Sequence, residues 1–353
     1  MATEATLRCG ELRTSYKTDA TIFPNTSSRN LTLVGIALLC AAPMLVNNYY
    51  LNLLIQIGYY GIAALGLNIL VGFTGQISLG HSAFFGFGAF ASAYLNNRFG
   101  VPVLLAIPLA GILTTAVGLI VGIPAGRIKG LYLAIATLAS QFILEDFFSR
   151  ADWFTGGSSG AMAAPVNLFG FVLYGEQKFF YFTLAAVVVM YLFGTNLLRT
   201  RDGRAFVAIR DHALSAEIMG INLTRYRILS FGISSFYAGI GGALFGHYLG
   251  FVSAEGFTLM LSVQFLAMII IGGLGSVRGT LFGTAFMVLL PEGMEMIVKF
   301  AGSGLPGLSL GLAHIKEMSI GLAIILFLIY EPEGLANRWR KMTGYWRHYP
   351  FSH

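Results

Sequence analysis

Long apolar runs, broken by short polar stretches, dominate the pattern of this 353-residue chain. A helix needs about 20 residues to cross the hydrocarbon layer, with a range of about 17–25. Runs of that order lie at 31–47, 51–71, 82–97, 102–124, 131–149, 179–198, 228–250, 260–275, 280–299 and 317–330. The pattern therefore predicts an all-α polytopic transmembrane bundle of eight to ten spans, with ten the fullest reading. The third, eighth and tenth runs are short, which makes them candidates for half-helices or re-entrant segments.

One interior stretch breaks the rule of apolar runs. Residues 199–227, RTRDGRAFVAIRDHALSAEIMGINLTRYR, carry six arginines against Asp202, Asp211 and Glu217. Ala205, Ile209, Ala213, Ala216 and Met219 recur at three- and four-residue steps, which is one face of a helix. Gly220 is a natural stop, because glycine accepts the left-handed conformation after a helix. The expected element is a short amphipathic helix presented to a partner, with a solvated charged loop as the alternative. Ala205, Ala208, Ile209, Ala216 and Met219 are the expected contacts, within a core running from Gly203 to Gly220.

Composition settles the class. Apolar residues make up 56% and charged residues 11%, against about 45–50% and about 25% in soluble chains, and mean hydropathy is +0.72. The net charge of +6 does not point to nucleic acid, because the basic residues sit in loops and tails between spans. Basic residues near span ends mark the cytoplasmic side. With ten crossings and both termini inside, Arg127, Lys129, the 199–227 stretch, Arg278, Arg338, Arg340, Lys341 and Arg347 all fall on that side. Residues 150–178 and 300–314, rich in glycine and poor in net charge, then face outward. The expected organisation is a polar tail at 1–30, disordered and cytoplasmic, a transmembrane domain at 31–335, and a basic cytoplasmic tail at 336–353. The glycosylation patterns at Asn25 and Asn30 would carry no meaning on such a tail. Cys9 and Cys40 offer neither a disulfide framework nor metal-ligand spacing.

Glycine is abundant, with 44 residues, and it clusters. Small residues let helices approach closely in lipid, and glycine also permits unwound backbone that can face a transport path. Polar residues interrupt the apolar run at 72–82 and 272–279, which favours unwound backbone there. Gln76, Ser78, His81, Gly272, Gly273, Gly275 and Ser276 are the candidate path residues, with structural breaks as the competing account. The two segments are loosely alike (SLGHSAFFGFGAF beside GSVRGTLFGTAF). Ion-coupled transporters place acidic or histidine residues within spans. Here Glu145, Asp146, Glu292 and Glu295 lie near span ends or beside a partner such as Lys299, and His81 and His247 stand alone. Neither a nucleotide-binding GxxxxGK[ST] nor an HExxH or paired-cysteine motif occurs in the sequence. If transport is active, its energy comes from another polypeptide.

Six motifs in order complete the reading. Gly75-Gln-Ile-Ser-Leu-Gly-His81, Gly130-Leu-Tyr-Leu-Ala-Ile-Ala-Thr-Leu138, Thr155-Gly-Gly157 with Gly160, Gly203-Arg-Ala205 with Ala208-Ile-Arg-Asp211 and Ala216-Glu-Ile-Met-Gly-Ile221, Ile271-Gly-Gly-Leu-Gly-Ser276 with Gly279, and Tyr330-Glu-Pro-Glu-Gly-Leu335 resemble the branched-chain amino-acid ABC transporter permeases. The chain looks most like the longer of the two permease subunits. The resemblance implies an importer of two permeases and two ATPases, fed by a periplasmic or lipid-anchored binding protein, in the inner or plasma membrane. ATP and Mg would be used by the ATPases, and this chain would bind no cofactor and catalyse no reaction. It also implies that Gly203, Ala205, Ala208, Ile209, Arg210, Asp211, Ala216, Glu217, Met219 and Gly220 form the segment that couples to an ATPase. The chain departs from the general importer pattern of Glu-Ala-Ala ending four residues before a glycine. Leu214, Ser215 and Ala216 stand there instead, and the acid is Glu217, three before Gly220. The family includes urea, amide and aromatic-acid members, so a branched-chain amino acid or a related small polar solute is the expected cargo. A passive channel for a small neutral solute such as urea is the alternative, because charge-poor spans would serve it too.

Overall fold

The computed structural model describes residues 26–128, 130–168, 171–172, 175–301, 312–331 and 333–348. Helices form over every predicted apolar run: α1 (Thr26–Leu45), α2 (Asn48–Asn68, continued by a π turn at Ile69–Phe73), α3 (His81–Phe99), α4 (Val103–Ala125), α5 (Leu131–Arg150), the short α6 (Asp152–Thr155), α7 (Glu176–Leu197), α8 (Arg201–Ile218), α9 (Leu223–Leu249), α10 (Leu259–Gly272), α11 (Val277–Ala301), α12 (Leu312–Tyr330) and α13 (Gly334–His348). Residues 26–30, expected in a disordered tail, are the start of α1, and the basic C-terminal stretch is helical up to His348. Residues 1–25, Lys129, most of the 300–314 loop and the last five positions lie outside the described residues.

Among the described residues, seven helical segments are long and apolar enough to cross a membrane unaided. The pair His314–Tyr330 and Gly334–Met342, bent by 50°, would make an eighth if it is one span. Ten spans therefore do not follow from length and composition. Within α3, His81, Ser82, Ser92, Asn96, Asn97 and Arg98 dilute an otherwise apolar helix.

The bundle is built around α9, which packs on α2, α3 and α4. Its glycines explain the closeness. A methyl group on Gly241 would lie 2.7 Å from the Tyr59 carbonyl of α2, and one on Gly242 only 1.8 Å from the Phe85 carbonyl of α3. Backbones meet at such distances only where side chains are missing, and that packing drives helix association in lipid. Around this seam, Phe85 packs against Tyr60, Phe245 and Phe265 with ring centroids 5.8, 5.3 and 5.4 Å apart, distances at which tilted aromatic pairs add to burial. The pairings also give direction. Tyr59 sits by Gly241 and Gly66 by Ser234, so α2 runs antiparallel to α9; Phe85 sits by Gly242 and Ala89 by Gly246, so α3 runs parallel to it.

Between α2 and α3 the chain turns back inside the bundle. His81 Nε2 lies 2.8 Å from the Ala63 carbonyl, and Ala63 precedes the end of the π turn by about 15 Å of helix. Residues 74–80 thus climb beside α2 without helical structure, and α3 starts deep in the layer. The exposed amides of such a stretch need acceptors where no water is at hand. Gly75 N and Gln76 N return to the carbonyls of Val71 and Leu70, and Leu79 N donates to Thr137 Oγ1. At the start of α3, Ser82 N donates to Ser262 Oγ and Ala83 N to Gln141 Oε1. Opposite the α8 end, two short β-pairs form among the described residues, Ala161–Met162 with Phe251–Val252 and Asn167–Leu168 with Phe171–Val172.

Candidate functional site

The polar stretch does form a helix, α8, but not one continuous face. Thr200 caps its start, its hydroxyl accepting from Gly203 N at 3.3 Å, one of the N-terminal donors left open by helix geometry. At His212 the backbone leaves helical values (φ −150°, ψ 89°) and kinks the helix. The end is closed by Gly220 at φ +87°, with Ile221 N reaching the Ala216 carbonyl at 3.0 Å. This is the glycine-terminated motif anticipated from sequence.

The expected contact residues do not share one environment. Gly203, Ala205, Ile209 and Ala216 are buried against the chain itself, with Phe206. A methyl on Gly203 would meet the Leu197 carbonyl at 2.5 Å, so that glycine serves the join to α7. Ala208 is partly buried. Met219 is exposed, and with Leu214 and Ile218 it forms an apolar patch at 84%, 71% and 85% exposure. A strict helical repeat would have put Met219 on the side of Ala205 and Ala216; it stands instead at the C-cap, past the last helical residue Ile218, and is exposed. Asp211, Glu217 and Gly220 are also exposed.

Arg210 is directed differently from its neighbours. Its Nη1 donates to the Gly72 carbonyl in the π turn at 2.9 Å, while Nε and Nη2 pair with Asp211, each at 2.9 Å. The second break in the chain, residues 273–276 between α10 and α11, reaches the same place. A methyl on Gly275 would lie 3.0 Å from Arg210 Nη1, and one on Gly75 would lie 3.2 Å from Arg210 Cγ. Asn68, buried in α2, binds that break from the other side. Its Oδ1 accepts from Gly275 N at 2.9 Å, and its Nδ2 donates to the Ser276 carbonyl at 3.1 Å and Thr280 Oγ1 at 2.8 Å. The coupling candidate and both glycine-rich breaks therefore form one polar junction at one end of the bundle.

A family model described as the permease component of the branched-chain amino acid transport system matches residues 49–330. The chain belongs to this family. The high-affinity branched-chain amino acid transport system permease protein LivM of Salmonella typhimurium is 30% identical over 337 residues, covering 88% of this chain and 76% of its own. LivM of Escherichia coli is 30% identical over 336 residues, with the same shares. The autoinducer 2 import system permease protein LsrC of Enterobacter sp. is 29% identical over 192 residues, 53% of this chain and 52% of its own. No solved structure matches. The chain is thus a multi-pass membrane permease component.

Within this permease the candidate path residues are enclosed by its own helices. Gln76, Ser78 and His81 are 4%, 1% and 1% exposed. Gln76 Nε2 donates to Ser230 Oγ at 2.7 Å, yet Gln76 Oε1, Ser78 Oγ and His81 Nδ1 are buried without a hydrogen-bond partner among the described residues. Gly272 packs on Gly279, and Gly273 on Gly334 at the start of α13. Ser276 caps the first turn of α11, its hydroxyl accepting from Gly279 N at 3.1 Å. Asn68, Gln141, Ser82 and Ser262, which carry the polar junctions, had not been singled out. Asn68 and Gln141 each interrupt an apolar run, and a lone amide in a span was the available signal.

Proposed function

We propose that this permease is the membrane-spanning subunit of an ATP-driven importer carrying branched-chain amino acids, or a related small polar solute, across the inner or plasma membrane. The observation that carries the reading is the apolar patch Leu214, Ile218 and Met219, exposed on a kinked helix outside the spans. An apolar patch with a charged rim marks a site of protein association, and an ATPase is the partner that would supply the energy this chain lacks. ATP and Mg belong to two such subunits. A second permease completes the membrane path, and a periplasmic or lipid-anchored binding protein delivers solute at the far end of α9. Both termini lie in the cytoplasm. Supporting that orientation, Arg127 follows the end of α4 that packs beside Ile228, Arg278 opens α11, and Arg338 lies on α13, which packs against Gly273. All three sit at the α8 end, the distribution of basic residues found on the cytoplasmic side. The polar atoms left unpaired at Gln76, Ser78 and His81 support residues 74–81 as the wall of the path.

The test uses the assembled transporter in proteoliposomes. Met219→Cys and Ile218→Cys are expected to crosslink to an ATPase subunit, and Ile218→Asp to lower ATPase association at least tenfold while the permease remains folded. ATP-dependent uptake of labelled leucine by the wild-type assembly is expected. Labelling of Met219→Cys from outside intact cells would overturn the orientation, and uptake that persists without the ATPases would favour a channel.

A further inference from the structure

Arg210, one of the expected coupling residues, is exposed on α8, yet its Nη1 bonds back to the permease at Gly72. The two chain breaks it meets are both helix C-termini: α2 ends through the π turn at Ile69–Phe73, and α10 ends at Gly272. Helix C-termini leave carbonyls without helical donors and carry partial negative charge. A guanidinium suits this place, since its planar fork can serve a carbonyl and a carboxylate together. Arg210 does so, donating to the Gly72 carbonyl and to Asp211. The glycines make room for it. Gly75 and Gly275 have φ of +70° and +77°, and a side chain at either would press on Arg210. Beyond the guanidinium, Asn68 holds Gly275 and Ser276 to α2, so the two breaks are already joined to each other. π turns recur at functional sites, where a helix must shift locally.

We infer that Arg210 is the positioning residue that ties α8 to both chain breaks, so that displacement of α8 moves the inner ends of α2 and α10 together. The inference rests on the importer reading for its consequence, though not for the tie itself. Arg210 itself is exposed, and the buried side chains of α8, Ala205, Phe206, Ile209 and Ala216, are apolar. A contact made by a single side chain can be released and remade without unfolding either helix. Movement of α8 by an ATPase would then be transmitted to the two breaks at once, while the apolar packing keeps α8 attached.

The experiment compares Arg210→Met with Arg210→Lys, and with Arg201→Met, which alters an exposed arginine on the same helix. Met keeps an unbranched stem over Gly75 and removes every donor; Lys keeps the charge as a point donor. The first measurement is hydrogen exchange in the purified full-length permease. Arg210→Met is expected to raise exchange at least fivefold in both 70–80 and 270–280, Arg210→Lys by less, and Arg201→Met in neither. Unchanged exchange in either segment overturns the tie. The second measurement uses the assembled transporter. Uptake per ATP hydrolysed is expected to fall at least tenfold in Arg210→Met, with partial recovery in Arg210→Lys. Uptake per ATP equal to wild type, with exchange raised, overturns the transmitting role and leaves a structural bond only. Should the wild-type chain recruit no ATPase, the importer reading fails while the exchange result still decides the tie.

Discussion

Replacing Asn68 by alanine tests the polar junction directly. Asn68 is 1% exposed, and its amide makes three hydrogen bonds, to Gly275 N, the Ser276 carbonyl and Thr280 Oγ1. Their loss is unequal. The Ser276 carbonyl still accepts from Thr280 N at 3.0 Å, and Thr280 Oγ1 still donates to that carbonyl at 3.0 Å. Gly275 N is left without its acceptor, which costs about 1–3 kcal/mol in a buried setting. The other two bonds are worth about 0.6 kcal/mol each, the average for side-chain hydrogen bonds between membrane helices. The expected destabilisation is about 2–4 kcal/mol, or roughly 30- to 700-fold in the folding equilibrium. Thr280→Val removes one of the three bonds and the Thr280 hydroxyl's own bond to the Ser276 carbonyl but orphans nothing at Gly275, so it should cost about 1 kcal/mol. The assay is SDS-driven unfolding in mixed micelles, followed by circular dichroism, with both variants against wild type. If Asn68→Ala is no more destabilising than Thr280→Val, the assignment of the cost to the Gly275 amide is wrong.

Two further substitutions probe the backbone requirements. Gly242→Ala places a methyl 1.8 Å from the Phe85 carbonyl, and neither backbone can yield locally. A loss above about 2 kcal/mol is expected, toward the upper part of the overpacking range, seen as a smaller monodisperse peak in fluorescence-detected size exclusion. Gly321→Ala, with open space around it, should match wild type; equal behaviour of the two variants would refute the close-packing account. Gly220→Ala meets no neighbour but forces φ +87° on a side chain, at a cost of about 1–2 kcal/mol. Hydrogen exchange over 213–222 should rise more for Gly220→Ala than for Gly220→Asn, since asparagine tolerates that region better; the same rise in both would count against the strain.

Much of the architecture was written in local chemistry. Apolar runs of membrane length became helices wherever the structure describes them, because hydrocarbon leaves the backbone no other way to satisfy itself. The charged island at 199–227 became a helix ending at Gly220 for equally local reasons, a cap at Thr200 and a residue free to take positive φ. The breaks at 74–80 and 273–276 were legible because glycine and polar residues cluster there. Tertiary structure decided what those parts face. Periodicity assigned Ala205, Ile209, Ala213, Ala216 and Met219 to one surface, but Ala205, Ile209 and Ala216 are buried against the chain while Met219, at the end of the helix, is exposed, and no repeat encodes which neighbours a face will meet. Gly203 and Gly220 look alike in sequence, yet one is required by a neighbouring backbone and the other by its own φ. Arg210 read as one of the residues that couple to an ATPase. Its place in the junction depends on two helix ends, 138 residues away at Gly72 and 65 away at Gly275, whose carbonyls and glycines meet only once the bundle has closed.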